Sequence, residues 1–246
     1  MANFWKIVDK VIHEADIILE VIDARMIDKT RNLEIEGKIQ SLNKPLIRVI
    51  NKCDLVDKDE LVKKKKLLEP CVFISAKNFL GTTMLRKKIL QVSKGEAVLV
   101  GVVGYPNTGK SSLINCLRGK GVAPVSSVSG YTKGKQNVKA DNKIHLIDTP
   151  GVLSSTDLND DNSIKIATKN FYNEKDPDVA VFSLLKEHKK QILDHYGLDN
   201  VNDLNDEKIL EELARKANRY VSGGEPDVQM ISKRILKDWQ HGKIKL

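Results

Sequence analysis

The sequence has few of the residues that build disulfide scaffolds or metal clusters. Among its 246 residues there are three cysteines, Cys53, Cys71 and Cys116, and no two of them form a Cys-x-x-Cys pair. This usage is typical of a reducing cytosol. Metal ligation by these thiols is not expected, because no histidine lies nearby at a ligand-like spacing, and the histidines form no catalytic constellation of their own.

The sequence also lacks membrane and export signals. No apolar run is long enough to span a bilayer, and the N-terminal residues do not form a secretory pattern. We therefore predict a cytoplasmic protein with no membrane partner, and we favour a monomer. What the chain does have is a basic excess, with 41 Lys and Arg against 33 Asp and Glu. Such an excess favours an anionic partner, nucleic acid before membrane, although charge alone leaves nucleic-acid binding at about even odds.

Five apolar runs rich in Ile and Val predict buried β-strands. They are DIILEVIDAR, PLIRVI, CVFI, AVLVGVV and KIHLI, and stretches of helical composition such as DELVKKKKLLE, TTMLRKKILQVS and KSSLINCLRG separate most of them. Buried strands that alternate with helices indicate an α/β fold with a doubly wound, mostly parallel sheet. Polar residues follow each run, at the strand end where ligands bind in open α/β sheets.

The composition changes after residue 151 and predicts a second domain. The stretch SSTDLNDDNS is polar, as expected of a linker, and the residues from about 164 onward have a helical composition. One segment there, DVAVFSLLKEHKKQIL, is predicted as a helix from its length and spacing, although its first half is also compatible with a strand. We predict an α/β domain over residues 1–160 and a small helical C-terminal domain over residues 161–246.

The clearest motif is GYPNTGKS at residues 104–111, here called the phosphate loop. It matches G-x-x-x-x-G-K-[ST] between a predicted strand and a predicted helix, which is the context of a P-loop NTPase. Glycines allow backbone N–H groups to face phosphate oxygens, and the following helix presents its positive end. Lys110 is expected to contact the β- and γ-phosphates, and the Ser111 hydroxyl to ligate Mg²⁺. The predicted cradle comprises Asn107, Thr108, Gly109, Lys110, Ser111 and Ser112.

Two further segments are predicted to complete the phosphate and metal site. Asp148-Thr149-Pro150-Gly151 follows the next strand, so Asp148 is expected to hold Mg²⁺ through a water and the Gly151 N–H to contact the γ-phosphate. Between the phosphate loop and Asp148 lies SVSGYTKGKQ. Its Thr132 is our candidate for a mobile hydroxyl that joins Mg²⁺ only when the γ-phosphate is present. The alternative for Thr132 is an ordinary surface threonine.

Guanine recognition is predicted from two short segments. They are the base-recognition motif, Asn51, Lys52 and Asp54, and the closing loop that begins with Ser75, Ala76 and Lys77. The Asp54 carboxylate is suited to accept from guanine N1–H and the exocyclic amino group together, a charge-assisted pair. Adenine lacks these donors and would leave a desolvated carboxylate, a penalty on the order of a few kcal/mol. The Ala76 N–H is expected to donate to guanine O6, with Lys77 beside the ring. We therefore expect GTP and GDP as ligands.

The order of these motifs is rotated. An ordinary GTPase carries the phosphate loop first, then the switch threonine, Asp-x-x-Gly, the base-recognition motif and the closing loop, whereas here the last two come first. The two orders are rotations of one cycle, and a rotated chain can build the same sheet because domain termini often lie close together. With DAR at residues 23–25, RN at residues 31–32 and a helical tail, the sequence resembles the circularly permuted GTPases of the YlqF type over nearly its whole length.

The resemblance implies a slow GTPase that assists large ribosomal subunit assembly and binds precursor rRNA through its C-terminal helical domain. It also implies a K⁺ ion that supplies positive charge at the site, with Asn107 as its ligand; the alternative for Asn107 is a plain loop residue. The N-terminal Trp-Phe-Pro-Gly-His-Met segment of bacterial members is missing, and Ile27 and Leu33 replace prolines that are usual in them. These departures favour an archaeal or eukaryotic-type relative.

The predicted catalytic residues are Asn107, Lys110, Thr132 and Gly151. Val152 stands where Ras-like enzymes carry a glutamine that orients the attacking water, so we expect slow turnover until a partner completes the site. Ordering of Gly151 by a γ-phosphate is expected to gate the C-terminal domain through the linker. The alternatives are a GTP-gated RNA-binding module outside ribosome assembly with negligible turnover, and a P-loop kinase for a small molecule. The base-recognition motif argues against the kinase.

The last predicted helix has one apolar and one basic face. The apolar face carries Val228, Ile231, Ile235 and Trp239, and the basic face carries Lys233, Arg234 and Lys237, extended by Lys243 and Lys245. We predict that this face contacts the large ribosomal subunit or precursor rRNA. The alternative is a core-packed helix whose basic face is simply solvated.

Overall fold

The computed structural model describes residues 2–119, 136–151, 176–199, 201 and 203–246. The chain divides into two compact units, Met1–Asp160 and Asp161–Leu246, called here the first unit and the second unit. Thr132, Val152 and the polar linker of the sequence prediction lie outside the described residues. Within the described part of the chain, no helix is both long and apolar enough to cross a bilayer.

Helices and strands alternate along the first unit. Its elements are α1 (Ala2–Glu14), β1 (Ile17–Asp23), α2 (Ile27–Thr30), α3 (Leu33–Ser41), β2 (Leu46–Asn51), α4 (Lys58–Leu68), β3 (Cys71–Phe73), α5 (Thr82–Val92), β4 (Val98–Val103), α6 (Lys110–Arg118), β5 (Gln136–Lys139) and β6 (Ile144–Asp148). Short 3₁₀ turns cover Ala24–Met26 and Cys53–Leu55. The five predicted strands and the helices between them are therefore confirmed.

The strands form one six-stranded sheet in the order β3-β2-β1-β4-β6-β5. The first five in this order are parallel, and β5 pairs antiparallel with β6 at the edge. The predicted doubly wound, mostly parallel sheet is confirmed. The sequence prediction missed β5, because its residues, QNVK, contain a single apolar side chain and give no hydrophobic run.

Both faces of the sheet are covered, which explains why its strands are apolar throughout. On one face, Leu19 and Val21 of β1 pack in a cluster with residues of α5 and α6. On the other face, Ile18 of β1 packs with residues of α1 and α3. Alternate residues of a strand point to opposite faces, so a strand buried on both sides needs apolar residues at nearly every position. The exception inside β1 is Glu20, which is fully buried.

The second unit is helical. Its helices are α7 (Pro177–Tyr196), α8 (Asp206–Lys216) and α9 (Val228–Gln240). The segment DVAVFSLLKEHKKQIL lies in α7 and is helical as predicted except at a kink at His188, whose φ of −134° and ψ of 30° are not helical. Gly197 adopts a left-handed φ of 63° and ends α7. Asn205 and Asp227 cap α8 and α9 by accepting backbone N–H bonds. On α9, Trp239 is fully buried and its ring stacks on His188 with centroids 4.8 Å apart.

Candidate nucleotide-binding site

The phosphate loop leaves β4 and turns tightly between the ends of its neighbouring strands. Gly104 has a φ of 138°, and a Cβ there would lie 2.5 Å from the carbonyl oxygen of Val21 in β1. Gly109 has a φ of 100°, and a Cβ there would lie 2.2 Å from the side-chain nitrogen of Asn51. A side chain at either position would be strained and would clash. The loop therefore takes this path because both positions are glycine.

Lys110 begins α6 with its side chain enclosed by the loop. The residue is buried, and its Nζ donates to the carbonyl oxygens of Gly104 at 3.1 Å and Tyr105 at 2.7 Å. Burial lowers the pKa of Lys110 to about 8, against the opposing effect of the Asp148 carboxylate. A cation with so little access to water attracts anions strongly, since few waters compete for it. Its position in the curve of the loop suits a phosphate group.

Ser111 and Asp148 form an oxygen-rich pair beside the loop. The Ser111 hydroxyl donates to Asp148 Oδ2 at 3.1 Å, and Asp148 is buried at the end of β6. Hydroxyl and carboxylate oxygens are the hard ligands that Mg²⁺ prefers, and Mg²⁺ is usually held by one or two such groups together with substrate phosphates. Among the described residues there is no cluster of three or more Asp, Glu, His or Cys to hold a metal unaided. The donor set therefore fits a nucleotide-bound Mg²⁺.

The segment after β6 lies against the phosphate loop. Thr149 fixes its start, because the hydroxyl donates to the Val102 carbonyl oxygen at 2.7 Å. At Gly151, a Cβ would lie 2.5 Å from the Pro106 nitrogen and 2.8 Å from Lys110 Nζ. The close approach leaves no room for a side chain at Gly151. Contact between the Gly151 N–H and a γ-phosphate stays a prediction. Thr132, the predicted mobile ligand of Mg²⁺, lies outside the described residues.

Asn51 links three segments of the site. Its side-chain nitrogen donates to the Thr108 carbonyl oxygen at 2.9 Å, and its side-chain oxygen accepts from the Ala76 N–H at 3.0 Å. The residue is almost fully buried. We predicted that the Ala76 N–H donates to guanine O6. In the structure this N–H donates instead to the Asn51 side chain. Asn51 positions both the phosphate loop and the closing loop.

The Asp54 carboxylate lies in a more open position than its neighbours in the motif. It is partly exposed in the 3₁₀ turn, where Oδ2 accepts from the Asn78 side chain at 3.0 Å. The closing loop is held by a two-way backbone pairing between Ser75 and Leu80, and the Asn78 N–H donates to the Ser75 hydroxyl at 3.2 Å. Lys77 is exposed in this loop. The Asp54 carboxylate is thus accessible to a base.

Comparison with known proteins agrees with this arrangement. Residues 99–219 match the family described as 50S ribosome-binding GTPase. An uncharacterised GTP-binding protein of Methanocaldococcus jannaschii is 43% identical over 247 residues, covering 97% of this chain and 65% of that protein. Nucleolar GTP-binding protein 2 of Neurospora crassa is 37% identical over 257 residues, covering 98% of this chain and 41% of that protein. The chain thus spans between about two fifths and two thirds of the length of these relatives.

A solved structure has the same fold in the same chain order. The crystal structure of GNP-bound YlqF from T. maritima matches with a TM-score of 0.66 and 21% identity, covering 99% of this chain and 95% of that chain. The chain therefore has the fold of this circularly permuted GTPase. The predicted resemblance to the YlqF type is confirmed, and the relatives fit the predicted archaeal or eukaryotic-type origin.

The sequence prediction missed the partners of Lys52. Lys52 Nζ donates to the Asn107 carbonyl oxygen at 2.9 Å and to Asp23 Oδ2 at 2.7 Å. Parallel pairing of β1 with β2 places Asp23 opposite Asn51, which brings the DAR segment to the base-recognition motif. Asp23 ends an apolar run, as Asn51 and Asp148 do, and that pattern is the signal that could have identified it.

Most of the predicted site residues converge at the carboxyl ends of the parallel strands. The residues joined by the contacts above are Asn51, Lys52, Ser75, Ala76, Asn107, Thr108, Gly109, Lys110, Ser111, Asp148 and Gly151. Ser112 is partly buried in the first turn of α6. The base-recognition motif and the phosphate loop, 57 residues apart in the chain, are thus parts of one site.

Proposed function

We propose that this chain binds GTP with Mg²⁺, hydrolyses it slowly when alone, and acts as a nucleotide-gated factor in large ribosomal subunit assembly. The observation that carries the proposal is the junction at Asn51 and Lys52, whose side chains bond to the carbonyl oxygens of Thr108 and Asn107. A single nucleotide would have its base beside Asp54 and its phosphates in the loop. The family match and the GTP-binding relatives support the same ligand.

The residues of the site suit hydrolysis by positioning and charge. Lys110 would neutralise charge on the β- and γ-phosphates, and the Gly151 N–H would contact the γ-phosphate. Mg²⁺, when bound, would be held by Ser111 and Asp148 and would stabilise charge that develops on phosphate oxygens. We retain Asn107, whose φ of 61° is left-handed, as the candidate ligand for K⁺. Hydrolysis faster in K⁺ than in Na⁺ is the expected result, and equal rates would reject the ion.

Guanine selectivity tests the ligand directly. Calorimetry with GDP, GTP and ATP should give binding of the two guanine nucleotides and at least about 100-fold weaker binding of ATP, since adenine cannot donate to Asp54. Equal affinity for ATP would overturn the proposal. A single-turnover assay with and without large ribosomal subunits separates a GTPase from the alternative, a GTP-gated RNA-binding module with negligible turnover. Acceleration by subunits favours the GTPase.

We further propose that the second unit contacts precursor rRNA. The buried face of α9 includes Ile231 and Ile235, while Lys233 and Arg234 are exposed. A depression of about 520 Å³ in the same unit is lined by residues that include Lys190, Lys243 and Lys245. Clustered lysines of this kind suit phosphate groups. Relatives described as nucleolar or 50S ribosome-binding support this partner.

Sedimentation tests the partner. The protein should pellet with large ribosomal subunits in the presence of a GTP analogue and much less in the presence of GDP, and small subunits serve as the control. Equal pelleting in both nucleotide states would remove the gating from the proposal.

We keep a cytoplasmic monomer as the expectation. The thiols Cys53, Cys71 and Cys116 are free, and burial raises the pKa of each of them. Such thiols suit a reducing compartment.

A further inference from the structure

The DAR segment has no role in the site as proposed so far, yet its carboxylate contacts the base-recognition motif. We propose that Asp23 is a positioning residue that holds Lys52 against the phosphate loop and thereby sets the affinity for guanine nucleotides. This inference rests on the proposed function, since the site concerned is the one that would hold GTP. Asp23 itself does not contact the phosphate loop; it acts through the Lys52 ammonium group.

Backbone and side-chain hydrogen bonds hold Asp23 in place. It ends β1, it is 2% exposed, and its N–H donates to the Thr30 hydroxyl at 3.0 Å. Its carboxylate receives two side-chain bonds from Arg25, Nε to Oδ1 at 3.1 Å and Nη2 to Oδ2 at 2.9 Å. A two-point contact between Arg and a carboxylate fixes orientation as well as distance. Oδ2 is therefore presented to Lys52 in one direction.

The charges explain why Lys52 needs this partner. Burial lowers the pKa of Lys52, the nearby Arg25 guanidinium lowers it further, and the Asp23 carboxylate opposes both effects. The same two cations hold the pKa of Asp23 well below its usual range despite its burial. Without the carboxylate, the Lys52 ammonium group would lose its partner at 2.7 Å and would still face the repulsion of the Arg25 guanidinium, with only the smaller attraction of the Asp54 carboxylate against it. The flexible Lys52 side chain would then leave this position.

The position of Lys52 matters because it extends to the phosphate loop. Its ammonium group bonds to the Asn107 carbonyl oxygen, where the loop backbone has its left-handed turn. Displacement of Lys52 would release this carbonyl and loosen the loop beside the nucleotide. Both GTP and GDP should be affected alike, because the contact is with the loop and not with the γ-phosphate.

A second carboxylate in the same unit provides a matched control. Glu36 in α3 is also paired with two arginines, Arg31 and Arg48, and is partly buried. The hydrogen bonds of Glu36 and these arginines connect α3 to Glu20 of β1, to β2 and to the carbonyl oxygens of Leu68 and Glu69, and none of these groups belongs to the phosphate loop. Removing its charge should therefore reduce stability without a specific effect on nucleotide binding.

The experiment compares Asp23→Asn, Glu36→Gln and Lys52→Met in the full chain by calorimetry with GDP and GTP. Asp23→Asn should weaken both nucleotides at least about tenfold, and Glu36→Gln should change them by less than about twofold even where both lower the melting temperature. In a double-mutant cycle, Asp23→Asn should add nothing to Lys52→Met. Wild-type affinity for Asp23→Asn, equal loss in Glu36→Gln, or additive losses with Lys52→Met would each overturn the role of Asp23. Failure of the wild-type chain to bind GDP would instead overturn the proposed function.

Discussion

The two units of the molecule differ in how many buried polar side chains they contain among the described residues. The strand ends of the first unit carry buried polar side chains that bond across the chain, such as Asn51 to the Thr108 carbonyl and Ser111 to Asp148. In the second unit, the apolar faces of three helices are buried and the charged residues lie mostly outside. Buried polar groups are costly unless paired, so they are concentrated where a ligand requires them. Most buried polar side chains of the described residues therefore lie in the first unit.

The comparison predicts that substitutions at the strand ends change nucleotide binding, whereas substitutions on the second unit change only binding to other macromolecules.

The largest effect is expected at Asp54. Asp54→Asn removes the negative charge and replaces one of the two acceptor oxygens by an NH₂ donor. Since each charge-assisted bond to guanine contributes about 1.5–3 kcal/mol, GTP should bind about 100- to 1000-fold more weakly. Xanthosine triphosphate, which has a carbonyl at position 2, should bind better to the variant than to the wild type.

Calorimetry with the two nucleotides measures this exchange of specificity. Asp59→Asn is the matched control, because Asp59 is an exposed carboxylate in the first turn of α4 nearby. It should leave both affinities unchanged. Unaltered preference for GTP in Asp54→Asn would show that Asp54 does not contact the base.

The second prediction concerns the pH dependence of stability at Lys110. Its pKa of about 8 in the folded protein lies below the value of 10.5 expected when unfolded, so burial of the charged form destabilises the fold. This penalty is fully present below pH 8 and is relieved as the pH rises from 8 towards 10.5. Lys110→Met removes this pH-dependent penalty together with the two hydrogen bonds to the Gly104 and Tyr105 carbonyl oxygens, so wild type should gain stability relative to the variant as the pH rises through this range. The variant should also bind GTP at least about 100-fold more weakly.

Urea unfolding at pH 7 and pH 10 measures this effect. Wild type should gain stability relative to Lys110→Met at the higher pH. Lys208→Met on the exposed face of α8 serves as the control and should show no pH-dependent difference. A stability difference between wild type and Lys110→Met that is the same at both pH values contradicts the buried-charge explanation.

The third prediction compares an asparagine from each unit. Asn51→Ala leaves the Thr108 carbonyl and the Ala76 N–H without their partner in the interior, which should lower the free energy of unfolding by about 2–4 kcal/mol and weaken GDP about tenfold. Asn205→Ala removes the N-cap of α8 and should cost about 1 kcal/mol with no change in GDP affinity. Equal effects of the two substitutions on GDP binding would erase the distinction between the units.

The sequence predicted what depends on neighbouring residues along the chain. The phosphate loop, the five apolar strands and α7 are contiguous patterns, and the rotated order of the motifs indicated the permuted fold before any contact was known. Contacts such as Lys52 with Asp23 depend on β1 lying beside β2, which a run of Ile and Val does not specify. The hydrogen bonds of Asn51 to Thr108 and Ala76 likewise depend on segments that are distant in the chain. The edge strand β5 was missed because an edge needs few apolar residues.

The smallest effects are expected on the surface of the second unit. Lys233→Glu and Lys245→Glu each change an exposed basic residue, and each should weaken binding to large-subunit rRNA by about threefold at moderate salt. The slope of the logarithm of affinity against the logarithm of salt concentration should become shallower by about one for each phosphate that the variant no longer binds. GDP affinity should not change in either variant. Lys208→Glu, an equal change of charge on α8, should leave RNA binding as it is. If Lys208→Glu weakens RNA binding as much as Lys233→Glu does, the effect comes from the net charge of the unit, and the basic face of α9 is then only a solvated surface.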